Sequence, residues 1–299
     1  ISMYKDKVDS YVDSVIKEIK FLGEQLKGRE LNTVYIGGGT PTTLEPDQMD
    51  RLITSLKENF DFSTVREFTV EAGRPDSITE EKLKTLKKHN VSRISINPQT
   101  MNQKTLDIIG RRHTVEQVKE AFKLARQCGF NNINMDFIIG LPNETVDMVR
   151  HSMEETKKLN PESLTVHSLA VKRAARLNTE KEKYQDYTYE NNSKLMNITM
   201  DYSKEMNMKP YYLYRQKNMA GNQENVGYSV YGKECLYNIL MMGDRQDVFA
   251  LGAGGTTKIM SEDRLSAKRI DNVKNVDQYI ERIDEMIERK RKYFQSMGC

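Results

Sequence analysis

Residues 33 to 42 read Thr33-Val-Tyr-Ile-Gly-Gly-Gly-Thr-Pro-Thr42, a short apolar run that stops on three consecutive glycines. Val34, Tyr35 and Ile36 suit a sheet interior. Gly37, Gly38 and Gly39 carry no Cβ, so a ligand can lie directly on the backbone where the strand ends. Thr40 adds a hydroxyl and Pro41 fixes the turn that follows. A strand whose carboxyl end is built this way predicts a small polar ligand at that end, and the rest of the chain can be read for what surrounds it.

Outward from this strand, apolar runs and amphipathic stretches alternate to about residue 170. Val8, Tyr11, Val15, Ile19, Leu22 and Leu26 recur at helical spacing before it, the pattern of a helix packed on a sheet. Strands are predicted near 33 to 36, 67 to 71, 91 to 96, 132 to 139 and 163 to 169. Helices are predicted around 46 to 59, 79 to 89, 115 to 128 and 144 to 159, with Thr114 and Gln117 forming a capping box for the third. Such alternation means parallel strands joined by crossover helices. Doubly wound sheets and barrels share it, and the polar residues decide between them. Gly37 to Thr40, Glu71, Asn97 to Gln99 and Ala170 fall at the carboxyl ends of successive strands, and Asp136 lies within one, which is how parallel barrels assemble sites. The expected fold is α/β, a partial parallel barrel.

Beyond about residue 175 the pattern changes, so a barrel part over 1–175 and a covering region over 176–299 with mixed helix and strand are expected. The stretch 178 to 208 is polar and helical, with Leu195, Ile198, Tyr202 and Met206 as its inner face. Pro210 to Asn218 is aromatic and strand-like. Asp247-Val-Phe-Ala-Leu-Gly252 reads as a second strand-to-glycine corner, and Val276, Tyr279, Ile280, Ile283 and Ile287 mark a closing helix.

Composition narrows the function classes. Lys and Arg total 46 against 43 Asp and Glu, a formal charge of +3, too small to mark a nucleic-acid binder. No apolar run reaches the ~18 residues of a membrane span, and the first residues show no secretory or transit pattern, so a cytoplasmic protein is expected. Three cysteines, Cys128, Cys235 and Cys299, are far apart and show no paired metal-ligand spacing. Cys128 reads as a small core residue of its helix.

The candidate site residues have distinct chemistries. Glu71 ends its strand and is free to face a cation or a pair of hydroxyls; the alternative is a surface acid paired with Arg74. Asp136 sits in Asn132-Ile-Asn-Met-Asp-Phe-Ile-Ile-Gly140, where a buried carboxylate needs partners or costs several kcal/mol. A ribose diol, with two donors, would satisfy it. Gln99 can donate and accept at the same rim. Arg111, in Gly110-Arg-Arg-His113, can clamp a carboxylate, while Arg112 reads as surface charge and His113 as structural. Backbone glycines, one arginine, two carboxylates and an amide together suit a zwitterionic amino acid joined to a nucleoside.

Six ordered segments, Gly37-Gly-Gly-Thr-Pro-Thr42, Glu71, Arg93-Ile-Ser-Ile-Asn-Pro-Gln99, Gly110-Arg-Arg-His-Thr114, Asp136-Phe-Ile-Ile-Gly-Leu-Pro142 and Leu164-Thr-Val-His-Ser-Leu-Ala170, resemble the oxygen-independent coproporphyrinogen III oxidases, which are radical S-adenosylmethionine (SAM) enzymes. Tyr211-Tyr-Leu-Tyr-Arg-Gln-Lys-Asn218 and Glu224-Asn-Val-Gly-Tyr228 are similar to the coproporphyrinogen dehydrogenase branch of Gram-positive bacteria. The resemblance implies a radical SAM partial barrel. It implies Gly38, Gly39 and Thr40 at the methionine end of SAM, Glu71 and Arg111 near its charged groups, Gln99 and Asp136 toward the ribose, and Ala170 beside the adenine. Such enzymes pass an electron from a [4Fe-4S] cluster to the sulfonium; the resulting 5′-deoxyadenosyl radical removes hydrogen from a propionate, and two propionates become vinyl groups. A porphyrinogen substrate and an electron donor such as flavodoxin or ferredoxin are the implied partners. For a substrate with four carboxylates, Arg173, Arg215 and Tyr212 are the expected contacts, with Lys172, Arg176 and Lys217 also available. Tyr211, Tyr212 and Tyr214 either pack on the macrocycle or cover the barrel as core residues.

The family's Cys-x-x-x-Cys-x-x-Cys loop, which follows its first barrel strand, is not in this sequence. The expectation is a chain without that strand and without cluster ligands, unable to cleave SAM as it stands, since three thiolates must hold three irons. Two other readings stay open. Heme-delivering relatives carry a His-Asn-x-x-Tyr-Trp signature, against Glu224-Asn-Val-Gly-Tyr-Ser229 here and no tryptophan. A metal-free barrel enzyme would use Gly37 to Gly39 for a phosphate.

Overall fold

Residues 6–169, 193–214, 224–243, 246–261 and 263–296 are described by the computed structural model. Five strands, β1 (Thr33–Ile36), β2 (Glu67–Gly73), β3 (Arg93–Gln99), β4 (Ile133–Ile139) and β5 (Ser163–Ser168), run parallel in chain order. A doubly wound sheet would reverse its order part-way and carry helices on both faces. Here the order never reverses, so every crossover helix lies on one face and the other stays open. β6 (Lys209–Tyr214) and β7 (Asn225–Ser229) extend the same sheet antiparallel, in the order β5-β7-β6. The Arg93 guanidinium reaches over β4 to donate to Ser163 Oγ on β5 (3.1 Å). The expected half-barrel is the observed one.

The covered face is the main core. Phe68, Val70, Ile94, Ile96, Ile133, Met135, Phe137, Leu164 and Val166 point outward under α2 (Pro46–Asn59), α3 (Glu80–Lys88), α5 (Val115–Gln127), α6 (Val146–Leu159) and α7 (Ser193–Glu205), the last supplying Leu195 and Ile198. Each fully buried side chain of this size contributes roughly 1.5–3 kcal/mol. Threonine caps start three of these helices: Thr79, Thr114 and Thr145 accept from the backbone N–H three residues on, and Thr114 with Gln117 completes the predicted capping box. Cys128 closes α5, half-buried against this core, as its helical spacing implied.

Strand and helix positions agree with the sequence within a few residues, and four details differ. A further short helix, α4 (Gln103–Ile108), follows β3. The opening helix α1 (Val8–Gln25) buries Val15, Ile19 and Leu22 against α2 through Leu52 and Leu56 and against the C-terminal helices through Tyr279, Ile283, Met286 and Ile287, while of the sheet Val34 and Ile36 of β1 reach that cluster. Residues 247–252 form a single bridge, Val248 to Lys258, because the Gly252 N–H is taken by Glu18. The closing helix is two, α9 (Val276–Glu281) and α10 (Ile283–Ser296), broken at Arg282. The remaining elements are α8 (Leu236–Met242) and a hairpin of β8 (Thr256–Met260) and β9 (Ala267–Asp271). Among the described residues no helix is long and apolar enough to cross a membrane.

One buried ion pair ties the chain's two ends together. Glu18 on α1 is fully buried and accepts from Lys290 Nζ (2.5 Å), Tyr279 Oη (2.6 Å), Gly252 N (2.9 Å) and Asn272 Nδ2 (2.9 Å); Lys290 also donates to Asn272 Oδ1 (2.7 Å).

Candidate functional site

The open face of the sheet is polar from one end to the other. Parallel strands are ordinarily apolar on both faces, yet here nearly every second residue is polar, Ile138 being an exception on β4, and registers align these residues in rows. Glu71, Ser95, Asn134 and Ser163 form one row across β2 to β5, and Asp136, Thr165 and Gly227 the next. Hydrogen bonds run along them: Asn134 Nδ2 donates to Ser95 Oγ (2.9 Å) and to Asp136 Oδ1 (2.6 Å), Ser95 Oγ donates to Asn97 Oδ1 (2.8 Å), and Thr165 Oγ1 donates to Asn134 Oδ1 (3.2 Å).

The floor of this concavity is sealed. Glu67 and Arg93 are buried at the strand starts, and Glu67 accepts from the Leu236 N–H (2.7 Å), the Tyr237 N–H (3.2 Å) and Cys235 Sγ (3.5 Å) at the start of α8. Burial pushes the Cys235 thiol up to about 12, so it stays protonated. The rim is open: Glu71, Asn97, Asp136 and His167 are half-buried.

Glu71 is built into the glycine strand end. Its carboxylate accepts from Tyr35 Oη (2.5 Å) and from the Gly38 N–H (3.3 Å). Burial, then the Glu71 charge, raises the Tyr35 hydroxyl far above the usual tyrosine range, with Asp136 adding to it from across the sheet. Tyr35 in turn stacks on Tyr237 (centroids 4.3 Å apart). A Cβ on Gly37 would run into the Tyr35 ring and come within 2.9 Å of Glu71 Oε1, which is why glycine stands there. The surface alternative for Glu71 fails: Arg74 pairs with Asp76, its neighbour across the tight turn Pro75–Ser77.

Behind the glycines the loop is pinned. Thr42, fully buried, donates to the Ala72 carbonyl and meets Ser77 Oγ (2.7 Å), and Lys82 Nζ donates to the Thr42 carbonyl (2.8 Å). Gly38, Gly39 and Thr40 therefore hang over the rim on a fixed base.

Gln99 ends β3 in left-handed backbone (φ 70°), next to a register shift, a conformation costing on the order of 1–3 kcal/mol for a non-glycine residue. It pairs with Phe137, the neighbour of Asp136. Arg111 is brought to the same rim because His113 Nε2 donates to the Pro98 carbonyl (3.2 Å). Burial holds His113 below the ordinary histidine value and keeps it neutral, the structural role expected of it. Partial desolvation, then the like charge of Arg74, lowers the Arg111 pKa, and its side chain has no acidic partner among the described residues. Tyr212 lies across Gly227, where a Cβ would collide with its ring; burial, then Asp136, pushes its hydroxyl up to about 12. Ala170, Arg173 and Arg215 lie outside the described residues, as do Lys172, Arg176 and Lys217.

Sequence reasoning missed Tyr35, Asn134, His167 and Glu144. The first three were available from the period-two polarity of the strands. Glu144 follows β4 and is buried, accepting from Thr100 Oγ1 (2.6 Å) and Asn102 Nδ2 (3.4 Å) beside Gln99; burial raises it to about 7. The folded chain keeps this proton up to about pH 7, whereas the unfolded chain releases it near 4.5, so the stabilisation is complete below 4.5 and lost as pH rises through 7. Glu144→Gln, which can still accept from Thr100, is expected to remove this slope. Urea unfolding at pH 8 should find it about 2 kcal/mol more stable than the parent, and equal to it at pH 4.5.

Electrostatically, the rim holds two carboxylates, Glu71 and Asp136, with no cation paired to either among the described residues. A phosphate would meet Glu71 already occupying the Gly38 N–H, which argues against the phosphate-binding alternative. A ligand that is cationic and rich in hydroxyl donors fits, and S-adenosylmethionine has both properties. The iron-sulfur cluster does not fit the described residues: no three His, Cys, Asp or Glu side chains come together, and Cys235 is a sealed thiol where a thiolate is required.

Comparisons with known proteins bear on the family and the fold. Residues 3–156 match the radical SAM superfamily. The chain is 46% identical, over 97% of its length, to the oxygen-independent coproporphyrinogen-III oxidase-like protein HemZ of Bacillus subtilis, and covers 59% of that protein. It is 30% identical, over 86% of its length, to the heme chaperone HemW of Lactococcus lactis, covering 63% of it. The structure of coproporphyrinogen III oxidase HemN from Escherichia coli shares the fold, with a TM-score of 0.73 at 20% identity over 94% of this chain and 63% of that one. The chain thus spans about three fifths of the length of these relatives.

Proposed function

The chain belongs to the radical SAM superfamily, and from that premise we propose that it is the cofactor- and substrate-holding part of an oxidoreductase that decarboxylates coproporphyrinogen III to protoporphyrinogen IX without oxygen. The observation that carries the reading is Glu71 and Asp136 at the glycine-rich rim, neither paired with a cation among the described residues, on the fold shared with HemN and in a sequence 46% identical to HemZ. When bound, S-adenosylmethionine supplies the radical chemistry. The protein's own residues orient it: Gly38, Gly39 and Thr40 beneath the methionyl end, Arg111 for its carboxylate, Glu71 beside its cationic centres, Gln99 and Asp136 toward the ribose. Tyr35, Tyr237 and Tyr212 wall the cavity and limit water.

Calorimetric titration of the protein with S-adenosylmethionine tests the cofactor site, and inorganic phosphate is the control. Saturable SAM binding without phosphate binding is expected. For the reaction, the whole protein is incubated anaerobically with reductant, SAM and coproporphyrinogen III, and vinyl product and carbon dioxide are measured. A heme-carrying role is the second reading, favoured by the 30% identity to the HemW chaperone. Stoichiometric hemin binding without decarboxylation would select it.

A further inference from the structure

The two walls of the cavity differ in chemistry. β1 to β4 contribute the carboxylates of Glu71 and Asp136, and β5, β7 and β6 contribute no carboxylate to the open face: Ser163, Thr165 and His167 stand on β5, Asn225, Gly227 and Ser229 on β7, and Tyr211 and Tyr212 on β6. His167 stands out. It follows Ser163 and Thr165 on the concave side of β5, above the level at which Thr165 bonds Asn134. It is half-buried, with buried Val166 and Ser168 on either side facing the other way. None of the described residues hydrogen-bonds its imidazole, and neither ring nitrogen is shut away from the cavity. In either tautomer it presents an N–H with no acceptor among the described residues.

We propose that His167 recognises an ionised carboxylate on the ligand that shares this cavity with the cofactor. The ligand is a tetrapyrrole macrocycle, one of whose carboxylate arms reaches β5 while its ring packs against Tyr212. A carboxylate is repelled by Glu71 and Asp136 and is accepted where His167 presents its donor, one step beyond Thr165, which Tyr212 already hydrogen-bonds. The ring of Tyr212, fixed flat over Gly227, offers the apolar surface. This inference rests on the proposed function and adds to it a specificity-determining residue that the sequence motifs did not single out.

The test is equilibrium binding, followed by fluorescence, of coproporphyrin III and of its uncharged tetra-amide. The parent protein, His167→Phe and His167→Asn are compared, with SAM affinity as the check on folding. The parent is expected to prefer the acid over the amide. His167→Phe should bind the acid about tenfold more weakly and the amide unchanged, the usual loss for one hydrogen bond to a charged group. His167→Asn, which keeps an N–H donor, should recover most of the preference. If His167→Phe binds both porphyrins as the parent does, the role of His167 is refuted while the proposed function stands. If the parent binds neither porphyrin, the proposed function falls and this inference with it.

Discussion

Asp136→Asn is expected to weaken S-adenosylmethionine binding by about a hundredfold while leaving the fold intact. The expectation follows from how Asp136 is held. Asn134 Nδ2 donates to its Oδ1 at 2.6 Å, so an asparagine at 136 keeps that bond only by placing its own amide oxygen there. Its Nδ2 must then point where the second carboxylate oxygen stood, toward the cavity. A vicinal diol that donated both hydroxyls to a carboxylate would meet a donor instead, and one hydrogen bond would be replaced by a clash of like dipoles. Hydrogen bonds to a charged group are worth about 1.5–3 kcal/mol, and the loss of the charge beside a cationic ligand adds to that, which corresponds to one to two orders of magnitude in affinity. Isothermal titration measures it directly. Equal affinities for Asp136→Asn and the parent would mean that the carboxylate does not face the ligand, and the reading of this rim as a nucleoside site would fail.

Much of this arrangement is written in local sequence. The five strands and their crossover helices are legible because apolar runs of strand length alternate with helical periodicity, and threonine caps mark the starts at Thr114 and Thr145. Glu71 and Asp136 could be named because each is a carboxylate in or at the end of an otherwise apolar strand. Their partners could not. Glu71 reads in sequence as a mate for Arg74, three residues on, but the turn at Pro75–Ser77 folds Arg74 onto Asp76, and Glu71 takes Tyr35 from the neighbouring strand. Likewise Gly252 reads as a second strand-to-glycine corner, but Glu18, 234 residues away, occupies its N–H. The sheet's curvature is a sum of small twists, and it sets the carboxylate wall facing His167. No local pattern encodes that closure, although the polarity of most alternate strand residues announced that one face would be lined with functional groups.

The second large effect lies far from the rim. Lys290→Met is expected to cost about 3–5 kcal/mol of folding stability, because it leaves the Glu18 carboxylate fully buried with its counter-charge removed. Three neutral donors remain on Glu18, from Tyr279, Gly252 and Asn272, and they soften the loss without cancelling a buried charge. The same lysine also satisfies Asn272 Oδ1, so the variant strands a second buried acceptor. The pair Glu18→Gln with Lys290→Met should then be the more stable of the two constructions: the neutral amide oxygen still accepts from its neighbours, and methionine fills the space of the lysine stem. Urea denaturation of parent, single and double variants reads the difference as a coupling energy of several kcal/mol between residues 272 positions apart. Because the pair joins α1 to α10, its loss should loosen the helices around Tyr279 and Met286. A Lys290→Met variant within 1 kcal/mol of the parent would mean that the Glu18–Lys290 pair contributes little, and that apolar packing of α10 holds it against α1.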